Sequence, residues 1–414
     1  MTITHRAPLS RCFELWRPKM SILTQSSLLL GLLFIIPSCS RQSDAPPIPV
    51  TFNKPSDELK ATVVVPTLDA PIPNGKNAIW CASFESAWKA LQELVGEPIT
   101  FDPPTDAAKS LNNVTDPRPH IPAASLYVAA GSNPVATINQ IATDLKQRFP
   151  SKEPPTFQGI VPESFITYAY LEANVKFSRP YDQNKQPLTF VEAGGRRTEV
   201  HSFGILSENH DARDKLWHQP RVLFRKGEPH EDSFEFAIDL CTNSSPSQLV
   251  IARIDREPTL SAAIARVERE MVEMPQLVEV EAAKSGRYTA ERLHTIESTG
   301  AMLVPDFHWA MSHRFTQLEG ARLANERFKS QVLGVAQQDI LFRLDKSGAE
   351  LKSEAKAYAP GEPTHFFLDR PFLVYMKKRG AEMPYFVMWV DNAELLRLWK
   401  TTQSSSPNNE SATQ

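Results

Sequence analysis

Two apolar runs near the C-terminus, Pro371-Phe-Leu-Val-Tyr-Met376 and Tyr385-Phe-Val-Met-Trp-Val390, constrain this chain more than any other feature. Neither alternates with polar residues, so each is expected as a strand buried on both faces, inside a sheet covered from two sides. Lys377-Lys378-Arg379-Gly380 joins them and reads as a solvated hairpin turn rather than a binding patch. So apolar a hairpin requires a large body around it. With 414 residues, 41% hydrophobic and 22% charged, the chain can bury a full core. It shows no internal repeat and no mid-chain linker, so one large domain is expected. A formal net charge of -3 with both signs interspersed gives no field that would draw the protein onto nucleic acid.

Upstream, helices and strands alternate in mixed order, which points to an α+β domain rather than a doubly wound sheet. Phe84, Trp88, Leu91 and Val95 share one helical face, and Gly96 followed by Pro98 ends it. A second helix is expected from about Thr137, with Ile138, Ile141, Leu145 and Phe149 aligned and Pro150 as its stop; a third follows Pro258 through Leu260, Ile264, Val267 and Met271. Strands are expected at Tyr168 to Phe177, Val200 to Leu206, Phe234 to Leu240 and Leu249 to Ile254, the last two as a hairpin.

The N-terminus reads as a signal peptide over residues 1–39. Arg6, Arg11, Arg17 and Lys19 precede an apolar run from Leu28 to Ile36, then Pro37-Ser38-Cys39. As a helix that run spans roughly 14 Å, short of a ~30 Å hydrocarbon core, so removal is favoured over a permanent span. Ile36-Pro37-Ser38-Cys39 resembles the lipobox of bacterial lipoproteins, which implies acylation of Cys39 and an extracytoplasmic, membrane-anchored or secreted location. Residues 40–60, rich in Ser, Asp and Pro, suit a disordered tether, and residues 398–414 a disordered tail. Within the domain, Cys81 and Cys241 either form one disulfide, which an oxidising compartment permits, or remain two packed thiols.

Several C-terminal motifs resemble those of one family. Phe367-Leu-Asp-Arg-Pro-Phe-Leu-Val-Tyr-Met376 and Pro384-Tyr-Phe-Val-Met-Trp-Val-Asp-Asn392 resemble the closing strands of serpins, with Met388 in place of a glycine and Ala393 in place of a final proline. Gln338-Asp-Ile-Leu-Phe-Arg-Leu-Asp-Lys-Ser-Gly-Ala-Glu350 resembles the serpin strand that runs into the hinge of the reactive loop; Gln338 stands at its histidine and Lys346 at its hinge glutamate. Val304-Pro305-Asp306-Phe307 and Asn174-Val-Lys-Phe177 resemble two further serpin strands, and Asn77 with Ile79 to Ser83 an early one. The resemblance covers residues 61–397. It implies a large central β-sheet, two smaller sheets and a helical N-terminal half, a monomer, and a sheet-opening region that includes Asn174 and Gln338.

The resemblance also implies a hinge at Gly348, Ala349, Glu350, Leu351, Ser353 and Ala355, and a scissile window at Pro360, Gly361 and Glu362. Inhibitory serpins offer such a loop to a protease and then insert it into the central sheet, so a secreted or periplasmic serine-type or cysteine protease is the implied partner. Ala349, Leu351, Ser353, Ala355 and Ala357 fall on one parity and the charges Glu350, Lys352, Glu354 and Lys356 on the other, which suits a strand with one packed face. Leu351, Lys352 and Glu354 are bulkier than the family's hinge. Burying Leu351 would contribute about 1.5–3 kcal/mol, and forcing it into a gap shaped for alanine would cost about 1–3 kcal/mol. New backbone hydrogen bonds then favour the inserted state.

No nucleophile elbow, phosphate loop or clustered metal-ligand set stands out. His201, His210, His218 and His230 fit no common zinc spacing and read as solvated or structural. The chain is expected not to be an enzyme and to need neither cofactor nor metal. A non-inhibitory lipoprotein that uses the same fold to bind a partner is the alternative.

Overall fold

The computed structural model describes residues 52–206, 216–228, 231–285, 294–296, 300–329, 331–347 and 364–399. The C-terminal runs become two strands in the middle of a seven-stranded sheet. Its order is β11 (Arg221–Lys226), β12 (Glu235–Asp239), β13 (Ser247–Arg253), β19 (Phe372–Lys378), β20 (Pro384–Val390), β3 (Asn77–Cys81) and β2 (Thr62–Val64). Every residue of β20 and of β3 is buried, as apolar runs without alternation require. The expected hairpin of β12 and β13 forms, antiparallel, with Ile238 opposite Ile251.

A five-stranded sheet runs β1 (Phe52–Pro55), β15 (Phe307–Arg314), β17 (Leu333–Leu344), β6 (Phe165–Asn174), β5 (Leu126–Gly131). A four-stranded sheet runs β18 (His365–Phe367), β14 (Ala301–Pro305), β10 (Ser202–Ile205), β7 (Asp182–Gln183). Two ribbons pair β16 (Arg322–Leu323) with β4 (Phe101–Asp102), and β8 (Leu188–Val191) with β9 (Arg197–Val200). Phe307, Trp309 and Phe342 of the five-stranded sheet pack with Phe372 and Phe386 of the seven-stranded sheet, which joins the two in one core.

Among the described residues three α-helices precede residue 150: α1 (Ala82–Val95), α2 (Asp106–Asn112) and α3 (Pro134–Arg148). In α1, Phe84, Trp88, Leu91 and Val95 are buried, and Gly96 closes the helix in the left-handed region at φ 89°. Asn133 accepts from the Ala136 amide and Pro134 follows it, so α3 begins three residues before Thr137. The helix after Pro258, α4 (Leu260–Ser285), runs well past Met271 and contains Pro275. Among the described residues no helix is long and apolar enough to cross a membrane.

Several boundaries differ from expectation. The chain is already paired at β1 and Leu59 is buried, so the fold begins about nine residues before residue 61. At the other end Leu398 bridges Val200, and the Trp399 amide donates to the Glu199 carbonyl at 2.9 Å. A free sheet edge captured both segments, and their polar composition concealed it. The turn after β19 is not simply solvated. The Arg379 guanidinium donates to Asp239 at 3.1 Å, to the Ser244 carbonyl at 2.6 Å and to the Cys241 carbonyl.

Cys81 and Cys241 are free and buried, which corrects the disulfide alternative. Cys81 ends β3 and Cys241 follows β12, four strand positions apart in one sheet. At about 4.8 Å per step that separation is roughly 19 Å, beyond the ~7 Å Cα limit for a disulfide. Burial raises the Cys81 thiol well above its usual range, which keeps it protonated and unreactive.

Candidate functional site

The five-stranded sheet contains one internal parallel junction. β6 and β17 run side by side in the same direction, from Phe165 beside Leu333 to Asn174 beside Arg343, whereas β17 with β15 and β6 with β5 are antiparallel. A parallel pair is slightly weaker per residue than an antiparallel one. β17 also leads, through Asp345 to Ser347, into residues 348–363, and the chain re-enters the described structure just before β18. The hinge residues Gly348, Ala349, Glu350, Leu351, Ser353 and Ala355 and the window Pro360, Gly361 and Glu362 lie outside the described residues, as do Cys39, His210 and His230.

Side chains tie the seam together from both faces. On the inner face, Gln338 Nε2 donates to Ser83 Oγ at 2.6 Å and to the Cys81 carbonyl at 3.3 Å, and Thr167 Oγ1 donates to the Ala87 carbonyl at 2.9 Å. Helix α1 therefore straddles the seam, bonded to β17 on one side and β6 on the other. Gln338 Oε1 is buried with no hydrogen-bond partner among the described residues, an uncompensated polar atom where the two strands meet.

On the outer face, Tyr168 of β6 donates its hydroxyl across the seam to Asp339 Oδ2 of β17 at 3.0 Å. Lys152, just past α3, places Nζ 3.1 Å from the same oxygen, and Gln337 Nε2 donates to Asp339 Oδ1 at 3.1 Å. Asp339 is 3% exposed, so these are desolvated, charge-assisted contacts. Burial and the Asp339 charge push the Tyr168 hydroxyl well above its usual range, so it stays a donor at any ordinary pH. Phe149, Phe157 and Tyr127 pack around Tyr168 and Tyr170 beneath α3.

Asn174 and Gln338, both expected in the sheet-opening region, are not brought together. Gln338 lies opposite Ala169, five residues before Asn174, which is roughly 16 Å along a strand. Asn174 has the parity of Tyr168 and Tyr170, the outer face, where it is exposed and donates to Glu172 at 2.7 Å. A concavity of about 310 Å³ beside it is lined partly by Arg148, whose guanidinium is committed to the Ala123 and Leu126 carbonyls.

Three buried polar groups outside the seam complete the arrangement. Glu85, in the first turn of α1, accepts from the Trp80 indole at 2.9 Å, and burial pushes its carboxyl up to about 8. Asp306, between β14 and β15, pairs with Arg397 at 3.3 Å, and burial raises it to about 6 against the pull of Gln183 and Arg397. Asn77 accepts from the Asp391 and Asn392 amides at 2.7 and 3.0 Å and donates to Thr62 and Asn392, which joins β2 and β3 to the segment after β20. The early Asn77 motif marks the last of these groups in the sequence; Lys152, Tyr168 and Glu85 carry no local signal. The His201 ring lies tilted against Trp399 with centroids 4.5 Å apart and that of His218 tilted against Trp217, and no metal-ligating cluster occurs among the described residues.

No protein-family model and no curated protein matches the chain. Solved structures do. A serpin of the insect Tenebrio molitor matches at 12% identity and TM-score 0.42, covering 76% of this chain and 92% of its own. Mouse protein-Z-dependent protease inhibitor matches at 12% and 0.44, with 76% and 91% covered. Human thyroxine-binding globulin complexed with thyroxine matches at 12% and 0.44, with 77% and 92% covered.

Proposed function

We propose that this chain is an extracytoplasmic lipoprotein of the serpin type, anchored through Cys39, whose segment 348–363 serves as bait for a protease and then enters the seam between β6 and β17. The observation that carries this reading is the direction of those strands. β6 and β17 are parallel neighbours with antiparallel strands outside them. A segment that leaves the end of β17, reverses and enters the seam would run antiparallel to both, making all five strands from β15 to β5 antiparallel. The sixteen residues from Gly348 to Pro363 suffice for a reverse turn and a strand matching the roughly ten paired positions of the seam.

Parity supports the same reading. In an inserted strand Ala349, Leu351, Ser353, Ala355 and Ala357 would take the α1 face, and Glu350, Lys352, Glu354 and Lys356 the outer one. In this scheme the protein acts once, by a change of sheet topology, and is not a turnover catalyst. It works as a monomer and needs no cofactor. Pro363 disfavours cleavage after Glu362, and Pro360-Gly361-Glu362 suits a protease that accepts small residues.

A second reading keeps the fold and anchor but not inhibition. It is favoured by the bulk of Leu351, Lys352 and Glu354 and by the cross-seam bonds of Asp339, both of which resist insertion. The mature domain mixed with serine and cysteine proteases separates the two. Inhibition gives a denaturant-resistant adduct at the summed mass and a rise in Tm. Clean cleavage within 348–363, with neither adduct nor stabilisation, leaves the binding role.

A further inference from the structure

An exposed sheet edge offers unpaired backbone groups to any other strand, and folds usually guard it with charge, proline, a bulge or brevity. In the three larger sheets the edge strands follow that rule with one exception. β11 carries Arg221, Arg225 and Lys226 and a bulge between Val222 and Phe224; its Val222 amide donates to the His294 carbonyl at 3.0 Å, and the His294 ring meets the Val222 carbonyl at 2.8 Å. β2, β7 and β18 have two or three residues each, and β1 contains Pro55. The exception is β5. It runs Leu126-Tyr-Val-Ala-Ala-Gly131, without charge or proline, in unbroken register against β6. Alternate residues turn their N–H and C=O away from β6, and Val128 to Gly131 are only half-buried. Among the described residues the β5 backbone bonds outside β6 to Arg148 alone, whose Nη2 donates to the Leu126 carbonyl at 2.8 Å.

The two ends of this edge differ in charge. α3 runs back along β5 and ends at Arg148, so the Leu126 end is the basic one. Both bonds of that guanidinium to the chain, to the Ala123 and Leu126 carbonyls, use Nη2, which leaves Nε and Nη1 for a further acceptor. Arg148 is exposed and lines the 310 Å³ hollow together with Ser125 and Ser151. Glu172 lines it too, its oxygens engaged by Asn174 at 2.7 Å and Tyr170 at 3.3 Å. A strand added antiparallel to β5, the stronger pairing, would travel from Gly131 toward Leu126 and finish at this hollow. Its terminal carboxylate would meet Arg148, whereas a parallel strand would bring a terminal ammonium to the same guanidinium and be repelled. We infer that the outer edge of β5 binds the C-terminal segment of a partner polypeptide, extended and uncharged over about six residues, with its terminal carboxylate on Arg148. This edge lies one strand outside β6 and shares no strand with the β6–β17 seam except through β6 itself.

The test passes the full chain over random uncharged peptides of about eight residues, immobilised by their amino ends and carrying either a free carboxylate or a carboxamide at the other. Retention on the carboxylate pool should be at least ~10-fold stronger, and alternate amides between Val128 and Gly131 should exchange more slowly with peptide bound. Arg148→Gln should erase the preference and keep the weaker binding of the carboxamide pool, which shows that the edge is intact; Arg148→Lys, which preserves the charge, should retain most of the preference. Equal retention of the two pools by the unsubstituted chain overturns the role of Arg148. Protection confined to the β6 and β17 amides puts the peptide in the seam and overturns the edge site. A dimer that protects Val128 to Gly131 without peptide makes a second copy the occupant and overturns the partner, as does the absence of retention on either pool at about 1 mM peptide.

Discussion

The substitution Glu85→Gln should stabilise the protein by an amount set by pH. The Glu85 carboxyl is 3% exposed, accepts one hydrogen bond from Trp80, and has its other oxygen, Oε2, buried without a partner among the described residues. Its folded-state value is about 8 against 4.5 for the free side chain. An acid raised in this way is protonated in the fold and ionised in the unfolded chain across the interval between. Its favourable contribution is complete below about 4.5 and is lost progressively as pH rises to about 8. At about 1.4 kcal/mol per pH unit, wild type forfeits about 3 kcal/mol at pH 7 and about 5 kcal/mol above pH 8. A glutamine side chain is neutral throughout and keeps the acceptor for the indole. It also lacks a partner for its amide, a penalty that does not vary with pH. The diagnostic is therefore slope rather than offset. Urea denaturation at pH 4.5, 6, 7 and 8.5 should show the stability of the variant relative to wild type climbing by about 3 kcal/mol between the first and third points. A flat difference would mean that Glu85 ionises normally and that burial does not dominate its environment.

Three other outcomes follow from the seam and the closure of the chain. Tyr168→Phe removes the one hydrogen bond given to Asp339 across the seam and should cost about 1.5–3 kcal/mol, raising hydrogen exchange of the β6 and β17 amides about 10–100-fold; exchange unchanged there, with global stability reduced, would show that the bond survives opening. Asn77→Ala leaves the Asp391 and Asn392 amides buried without their acceptor and should lower stability by about 2–5 kcal/mol in chemical denaturation; a loss below ~1 kcal/mol would mean that water replaces the side chain. Cys81 and Cys241 should both react with a thiol reagent only after denaturation, and dithiothreitol should leave the Tm unchanged; a reductant-sensitive Tm would contradict their separation.

What could be read from the residues divides by range. Elements whose signal is local were legible: the uninterrupted apolar runs of β19 and β20, the one-faced helix α1 with its terminal glycine, and the hairpin of β12 and β13. Boundaries moved where local composition misleads. β6 begins at Phe165, three residues early, because α1 and α3 cover both faces and remove the alternation that would mark its start. Lys152 with Asp339, and Asn77 with Asn392, join positions 187 and 315 residues apart, and no periodicity encodes such a meeting. The Lys377 to Gly380 turn looked solvated because a charge run is usually so; the partner that half-buries Arg379 is Asp239, on a strand far away in the chain. The cysteines could not be assigned without the strand order that separates them.

The pairing of β3 with β20 has an effect on how the molecule is made. Asn77–Cys81, a wholly apolar strand apart from its first residue, has its antiparallel neighbour at Phe386–Trp389, so the largest sheet stays unfinished until the chain has been made as far as Trp389, some three hundred residues later. Loop closure over that distance makes early, premature assembly slow. Until then β3 is an apolar strand without its antiparallel neighbour, so the order of synthesis leaves the middle of that sheet to close last.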